Sequence, residues 1–196
     1  MTLALLICHL PQRASLLERL RDRLGESIEL ARAAGVPDAA LVQIHVHGDP
    51  NPTTGEKRNR LLQTAAECKA DYVAFIDDDD LVSPDYCSQV LTALQEGPDV
   101  VGLEGLLHRP THQCEKFIHS RRYSTWSQSG DLGHRTYYRC PNHLNPVRLE
   151  LAIAAGFPDL TRGEDMDYSH RLLPLLKTEV MLEEPAVQPL YHYFAR

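Results

Sequence analysis

No stretch of this chain is long and apolar enough to cross a bilayer as a helix; the opening run MTLALLICHL ends after ten residues. That opening also lacks a basic n-region and a small-residue cleavage site, so it reads as a buried first strand rather than a leader. Paired cysteines are missing as well. The five present (Cys8, Cys68, Cys87, Cys114, Cys140) are odd in number, scattered and without a C-x-x-C pair, the pattern of reduced thiols in a reducing compartment. A cytoplasmic location is expected. Excess positive charge is absent: the net charge of −7 argues against wholesale coating of nucleic acid. Internal repeats and low-complexity linkers are absent too, and 196 residues of ordinary apolar content suit a single domain spanning 1–196.

What is present is an alternation of two periodicities. Leu3 to Cys8 is a continuous apolar run, as in a strand covered on both faces. Arg13 to Leu24 carries leucines at helical spacing up to Gly25, and a second helix is expected from Ser27 to Ala34 before Gly35. Leu41 to His47 is strand-like, GDPNPTTG is a loop of breakers, and Glu56 to Lys69 is helical. Asp71 to Ile76 reads as a buried strand. Ser83-Pro84 reads as a helix start with Ser83 as N-cap, running to Glu96 and Gly97, and Val100 to Leu107 as another strand. Such alternation implies an α/β fold with a largely parallel sheet. After Leu107 the rhythm breaks into a polar, aromatic and basic stretch. Helices are then expected over Pro146–Ala155 and from Glu164 to about Leu176, with strand and tail from Glu179 to Phe194.

The strand YVAFI ends in Asp77, Asp78, Asp79 and Asp80. The carboxyl edge of an open α/β sheet is where ligands bind. Four consecutive like charges there call for something positive, and a hard divalent cation such as Mn²⁺ or Mg²⁺ bridging phosphates fits. Strand alternation would let Asp77 and Asp79 converge on it. An EF-hand is excluded, because position six is Val82 rather than Gly and position twelve is Ser88 rather than Glu. Two other segments are candidates. Gly55-Glu56-Lys57-Arg58-Asn59 opens a helix after the breaker loop, a setting suited to phosphate. Gly163-Glu164-Asp165 opens another, and acids are favoured in a first turn by the helix dipole in any case.

Taken in order, the apolar first strand, KRN at a helix start, FIDDDDLVSPDY and GFPDLTRGEDMDYSHRL resemble the family 2 glycosyltransferases. The resemblance implies a GT-A (nucleotide-diphospho-sugar transferase) fold, with a Rossmann-like, mostly parallel central sheet flanked by helices. Residues 1–107 would form its nucleotide-binding half and 108–196 its acceptor-side half. It implies a metal-dependent, inverting transfer of a sugar from a nucleoside-diphosphate sugar, UDP by default, to a hydroxyl acceptor. Asp77 and Asp78 would hold the nucleotide, Asp79 with Asp77 the Mn²⁺ or Mg²⁺, and His192 in LYHYF would complete the metal shell. Lys57, Arg58 and Asn59 would touch the donor, with Pro11 in the first loop and Asp49 after the second strand. Asp165, supported by Glu164, would be the general base. The chain departs from the pattern in CHLPQRAS, which lacks an asparagine beside the nucleoside, and in HVHGDPNP, which lacks a double aspartate.

Between the acidic motifs, His108 to Arg148 holds seven Lys/Arg against two acids, a local balance of +5. Two readings stand open. These arginines bind an anionic acceptor, such as DNA with hydroxymethylated bases or a phospholipid carrier, or they bind the donor diphosphate and pair with acids. Trp126, Asn142, His143 and Asn145 are candidates to line the acceptor or sugar pocket. His108, His112, Cys114, Cys140 and His143 raise the further option of a structural zinc site, at spacings that match no standard finger. Rival functions are a nucleotidyltransferase, for which CHLPQRAS lacks the Gly-rich phosphate loop, and a catalytically dead sugar- or nucleotide-binding module, which needs no base. A retaining outcome is compatible with the same fold.

Overall fold

The computed structural model describes residues 1–110, 114–183 and 187–195. Strand β1 (Leu3–Cys8) leads through a 3-10 turn at Pro11–Arg13 into helix α1 (Ala14–Ala33), followed by β2 (Val42–His47), α2 (Thr54–Glu67) and β3 (Tyr72–Phe75). Next come β4 (Leu81–Val82), α3 (Tyr86–Leu94) and β5 (Val100–His108). The expected irregular stretch contains β6 (Cys114–His119), β7 (Ser127–Ser129), β8 (Thr136–Arg139) and β9 (Val147–Arg148). Helices α4 (Leu149–Ala155) and α5 (Glu164–Leu172) precede β10 (Glu179–Leu182) and β11 (Tyr191–Phe194).

The strands form one mixed, mostly parallel sheet in the order β2-β1-β3-β9-β5-β6-β8-β7. β1 pairs in parallel with β2 and β3, while β10 and β11 both add in parallel to β5. Alternation along β1 explains why the sheet is covered on both sides. Leu3, Leu5 and Ile7 pack on the side of α1 and α3; Ala4 and Leu6 pack on the side of α2, α4 and α5. The expected α/β class and flanking helices are observed.

Three element boundaries differ from expectation. The two helices expected around Gly25 are one, because Leu17, Leu20, Leu24, Ile28 and Ala31 form a single buried stripe through it. A mid-helix glycine costs only about 1 kcal/mol against alanine, less than that stripe contributes. Helix α3 starts at Tyr86, not at Ser83, whose amide donates to Leu190 O (2.9 Å) and whose hydroxyl donates to Asp85 (2.6 Å). Residues expected to begin a helix at Pro146 instead form β9, which sits antiparallel between β3 and β5 before α4 begins.

Candidate active site

The four aspartates follow β3 in a turn closed by Asp80 N donating to Asp77 O (3.1 Å), so strand alternation does not govern them. They nevertheless divide in two. Asp77 and Asp79, with side chains 28% and 14% exposed, face a cleft. Asp78 is 1% exposed and accepts from His9 Nδ1 (2.9 Å), Leu10 N (2.8 Å) and Arg13 Nη1 (2.9 Å), so it holds the loop after β1 in place. Asp80 is buried and accepts from Tyr191 OH (2.9 Å) and Phe194 N (2.8 Å). Burial, with Asp77 and Asp79 nearby, pushes its carboxyl up to about 8 against those two donors.

Two adjoining cavities share Arg58, Asp77 and Tyr193. The smaller, about 260 Å³, is lined by the loop after β1, the first turns of α2 and Asp77 to Asp79. Lys57 lies there, 5% exposed, and its ammonium makes no ion pair among the described residues. Arg13 joins it, bonded to Asp78 and 3.0 Å from Asp79. The helix terminus expected to bind phosphate is already occupied: Thr53 Oγ1 accepts from Glu56 N (3.1 Å), and Gly55 N donates to Leu160 O (2.9 Å). Any anion in this cavity would meet side-chain cations rather than the free amides of α2. Cys8 borders it as a thiol, its pKa pushed up to about 11 by burial.

The larger cavity, about 400 Å³, opens between the β5-β6-β8 face and the first turn of α5. Glu164, Asp165, Trp126, Asn142 and His143 all line it, joined by Tyr137, Arg139 and His119. Arg58 ties this wall to the aspartate turn. It is 4% exposed, donates through Nη1 to Glu164 (2.8 Å) and through Nη2 to Asp77 (3.2 Å), and lies over the rings of Phe75 and Phe157. Burial lifts Glu164 above the ordinary carboxylate range although Arg58 pulls it down. Burial opposes the charge on Asp77 as well, but His143 (3.5 Å) and Arg58 outweigh it and hold that carboxyl far below the usual range. Asp165 accepts from Met166 N (2.9 Å). Tyr193 and His119, which sequence reading missed, carry no local motif and reach the site only through pairing of β11 and β6 with β5.

Several expected residues have other roles. Asn59 clamps the backbone of Phe157, donating to its O (2.8 Å) and accepting from its N (2.9 Å). Asn145 is 1% exposed, donates to Val101 O (2.9 Å) and accepts from Asn142 N (3.0 Å), as a buried tie rather than a pocket wall. Asp49 accepts from Asn51 in an exposed loop, and Pro11 begins an exposed turn; neither lines either of these two cavities. His192 lines neither of the two cavities. It alternates with Tyr193 along β11 and meets His108 Nε2 through Nδ1 (3.0 Å). The zinc set is likewise scattered. His108 and Cys114 touch (3.2 Å), Cys140 lies beside Ser169 (3.0 Å), His143 faces Asp77, and His112 is outside the described residues. Among the described residues, no three such side chains are placed to hold a metal, and no helix is long and apolar enough to cross a membrane.

This architecture is shared with known structures. Crystal structures of S. aureus TarS 1-349 align with TM-score 0.62 at 13% identity, covering 99% of this chain and 60% of that one. The same protein in complex with UDP-GlcNAc gives 0.62 and 13%, covering 100% and 59%, so this chain spans about three fifths of those chains. A197 from STIV aligns at TM-score 0.51 and 17% identity over 93% of this chain and 82% of its own. At such identities these likenesses establish the fold alone. No curated protein sequence matches the chain. Residues 42–142, which run from β2 across the aspartate turn to the floor of the larger cavity, match glycosyl transferase family 2, and the chain therefore belongs to that family.

Proposed function

We propose that this chain transfers a glycosyl group, with inversion, from a nucleoside-diphosphate sugar to an acceptor hydroxyl, a UDP-sugar being the first donor to test. The observation that carries the reading is the pair of cavities meeting at Asp77, Arg58 and Tyr193, one lined by Arg13, Lys57 and the aspartate turn and the other walled by the acids of α5. Lys57 and Arg13 suit the donor diphosphate, and Asp165 across the shared wall suits the acceptor. In the transfer, Asp165 takes the acceptor's hydroxyl proton while that oxygen forms its bond to the anomeric carbon. The bond from that carbon to the diphosphate oxygen breaks, and its electron pair leaves on the diphosphate. Positioning and charge stabilisation account for most of the acceleration, because the reaction needs no covalent help from the protein. Arg58 and Glu164 hold the two sides in register.

Asp77 and Asp79 are the residues that would hold Mn²⁺ or Mg²⁺. Both face the same cavity and Asp77 stays ionised, which fits a hard cation that takes one or two carboxylates and completes its shell with phosphate oxygens and water. Such an ion would supply charge neutralisation to the departing diphosphate. The chain is read as one catalytic unit, residues 1–107 serving mainly the nucleotide and 108–196 the acceptor.

Thermal melting with nucleoside diphosphates, with Mn²⁺ or Mg²⁺ and with EDTA, tests the donor site. One nucleotide should raise Tm in a metal-dependent way, and Asp79→Asn should abolish the metal-dependent part. No rise with any nucleotide would overturn the reading. Asp165→Asn should keep the nucleotide response while cutting kcat by about 10²–10⁴-fold.

A further inference from the structure

The basic segment sorts itself once partners are assigned. Arg109 meets Glu115 (2.6 Å), Lys116 meets Glu104 (2.6 Å), Arg122 meets Glu183 (2.5 Å) and Arg148 meets Asp99 (3.3 Å). These charges are internally neutralised. Three others make no ion pair among the described residues: Arg121, which donates to Leu176 O (3.3 Å), Arg135, which lines neither cavity, and Arg139, which lines the larger one and makes no side-chain hydrogen bond among the described residues. Arg139 lies partly buried on β8, its Cζ 4.3 Å over the Trp126 ring and 5.9 Å from that of Tyr137, in the wall of the cavity that holds Asp165. Burial pushes its pKa down, and the attraction of Asp165 only partly offsets this. A guanidinium stacked in this way keeps its N–H donors, which lie in the guanidinium plane, free for a planar or tetrahedral oxyanion.

We propose that Arg139, on its Trp126 and Tyr137 platform, is the recognition point for a phosphate or carboxylate carried by the acceptor, so that the natural acceptor is an acidic hydroxyl compound rather than a neutral sugar. This rests on the transferase reading above. The donor's diphosphate has its own cation in the neighbouring cavity, Lys57, with Arg13 beside it already paired to Asp78 and Asp79, which leaves Arg139 for the molecule that Asp165 deprotonates. Arg162 at the exposed rim of the same cavity adds a second positive charge along the way in.

The test uses matched probes on the whole chain with UDP and Mn²⁺ present: glucose, glucose 6-phosphate and glucuronate, read by calorimetry and by Tm. The acidic probes should bind and glucose should not, with the sugar phosphate and glucuronate separating a phosphate site from a carboxylate site. Arg139→Gln should weaken the acidic probes by at least about tenfold and keep the UDP response, and Arg139→Lys, which retains charge without the fork, should fall between. Equal binding of neutral and acidic probes would overturn the proposal, as would an Arg139→Gln variant that loses UDP and acidic probes together, since the anion would then be the donor's. If UDP itself fails to bind the wild type, the transferase reading fails. The Arg139 site is then judged separately with inorganic phosphate, whose binding must disappear in Arg139→Gln.

Discussion

Arg58→Met gives the sharpest test of how this site is held together. The side chain is nearly isosteric up to the guanidinium, and it leaves the ring contacts to Phe75 and Phe157 partly satisfied. What it removes is the link from Glu164 to the aspartate turn, at 2.8 Å and 3.2 Å, inside a region where Arg58 is 4% and the Glu164 side chain 8% exposed. Breaking a buried ion pair from one side typically costs about 3–5 kcal/mol, because the remaining charge keeps its desolvation penalty. Against a usual stability of about 5–15 kcal/mol, that is a large share. The loss should depend on pH with a definite sign. Glu164 already sits above the ordinary carboxylate range through burial, and losing Arg58 removes its strongest downward pull. An acid raised in the folded state binds more protons than its unfolded counterpart, so stability falls as pH rises between the two pKa values. The penalty of Arg58→Met should therefore be smaller at pH 5 than at pH 7.5. Adding Glu164→Gln should recover part of it at pH 7.5, a coupling read from the double-mutant cycle. Urea denaturation followed by circular dichroism at both pH values measures all three quantities. A cost below about 1 kcal/mol that is flat with pH would refute the claim that Arg58 is the keystone.

Gly55→Ala should destabilise by about 1–3 kcal/mol despite alanine's better helix propensity, because its Cβ would fall 1.8 Å from Pro158 O, in the loop leading to the α5 acids. A Tm equal to or above wild type would refute this. Asp99 ties β10 to β5 by accepting from Lys177 N (2.7 Å) and Thr178 N (3.0 Å); although burial opposes it, those amides and Arg148 hold its carboxyl below the usual range. Its contribution should be present above about pH 4 and vanish as pH falls through the lowered folded value, so Asp99→Asn should cost about 1–2 kcal/mol at pH 7 and converge with wild type in acid.

How much of this was legible in the chain depends on the range of the interactions involved. The alternation of β1 and the leucine stripe of α1 are local, and so are the apolar run into four aspartates and the acids at the start of α5. Periodicity and capping express them directly. Residues whose partners lie about a hundred positions away could not be placed from local pattern. Asn59 looks like part of a basic-asparagine motif, yet its partner is the Phe157 backbone. His192 looks like a metal ligand, yet which face of β11 it takes is set by pairing with β5. Ser83 has the local chemistry of an N-cap, but β4 pairs with β11 and draws its amide to Leu190. The basic segment had the right composition for anion binding, but only the ion-pair map and the cavity lining together separate Arg139 from the other arginines of the segment.

The aspartate run shows why a motif should be divided before it is interpreted. Four adjacent carboxylates suggest a cation, because nothing in the sequence shows how their repulsion is relieved. The fold relieves it without one. Arg13 lies against Asp78 and Asp79, Arg58 and His143 lie against Asp77, and Asp80 is favoured in its protonated form by burial. The inner pair also acts mechanically. Asp78 gathers the loop after β1, and Asp80 gathers β11, so both walls of the cleft hang on one turn. The case for a divalent ion therefore rests on Asp77 and Asp79 alone, and the two pairs should separate experimentally. Asp78→Asn leaves Arg13 and the Leu10 amide with a neutral acceptor, and should lower Tm by the same amount with Mn²⁺ or with EDTA. Asp79→Asn should remove the increment that metal and nucleotide add together. If Asp78→Asn also abolished that increment while leaving the nucleotide-free protein as stable as wild type, Asp78 would be a ligand-binding residue and the division of the run would be wrong.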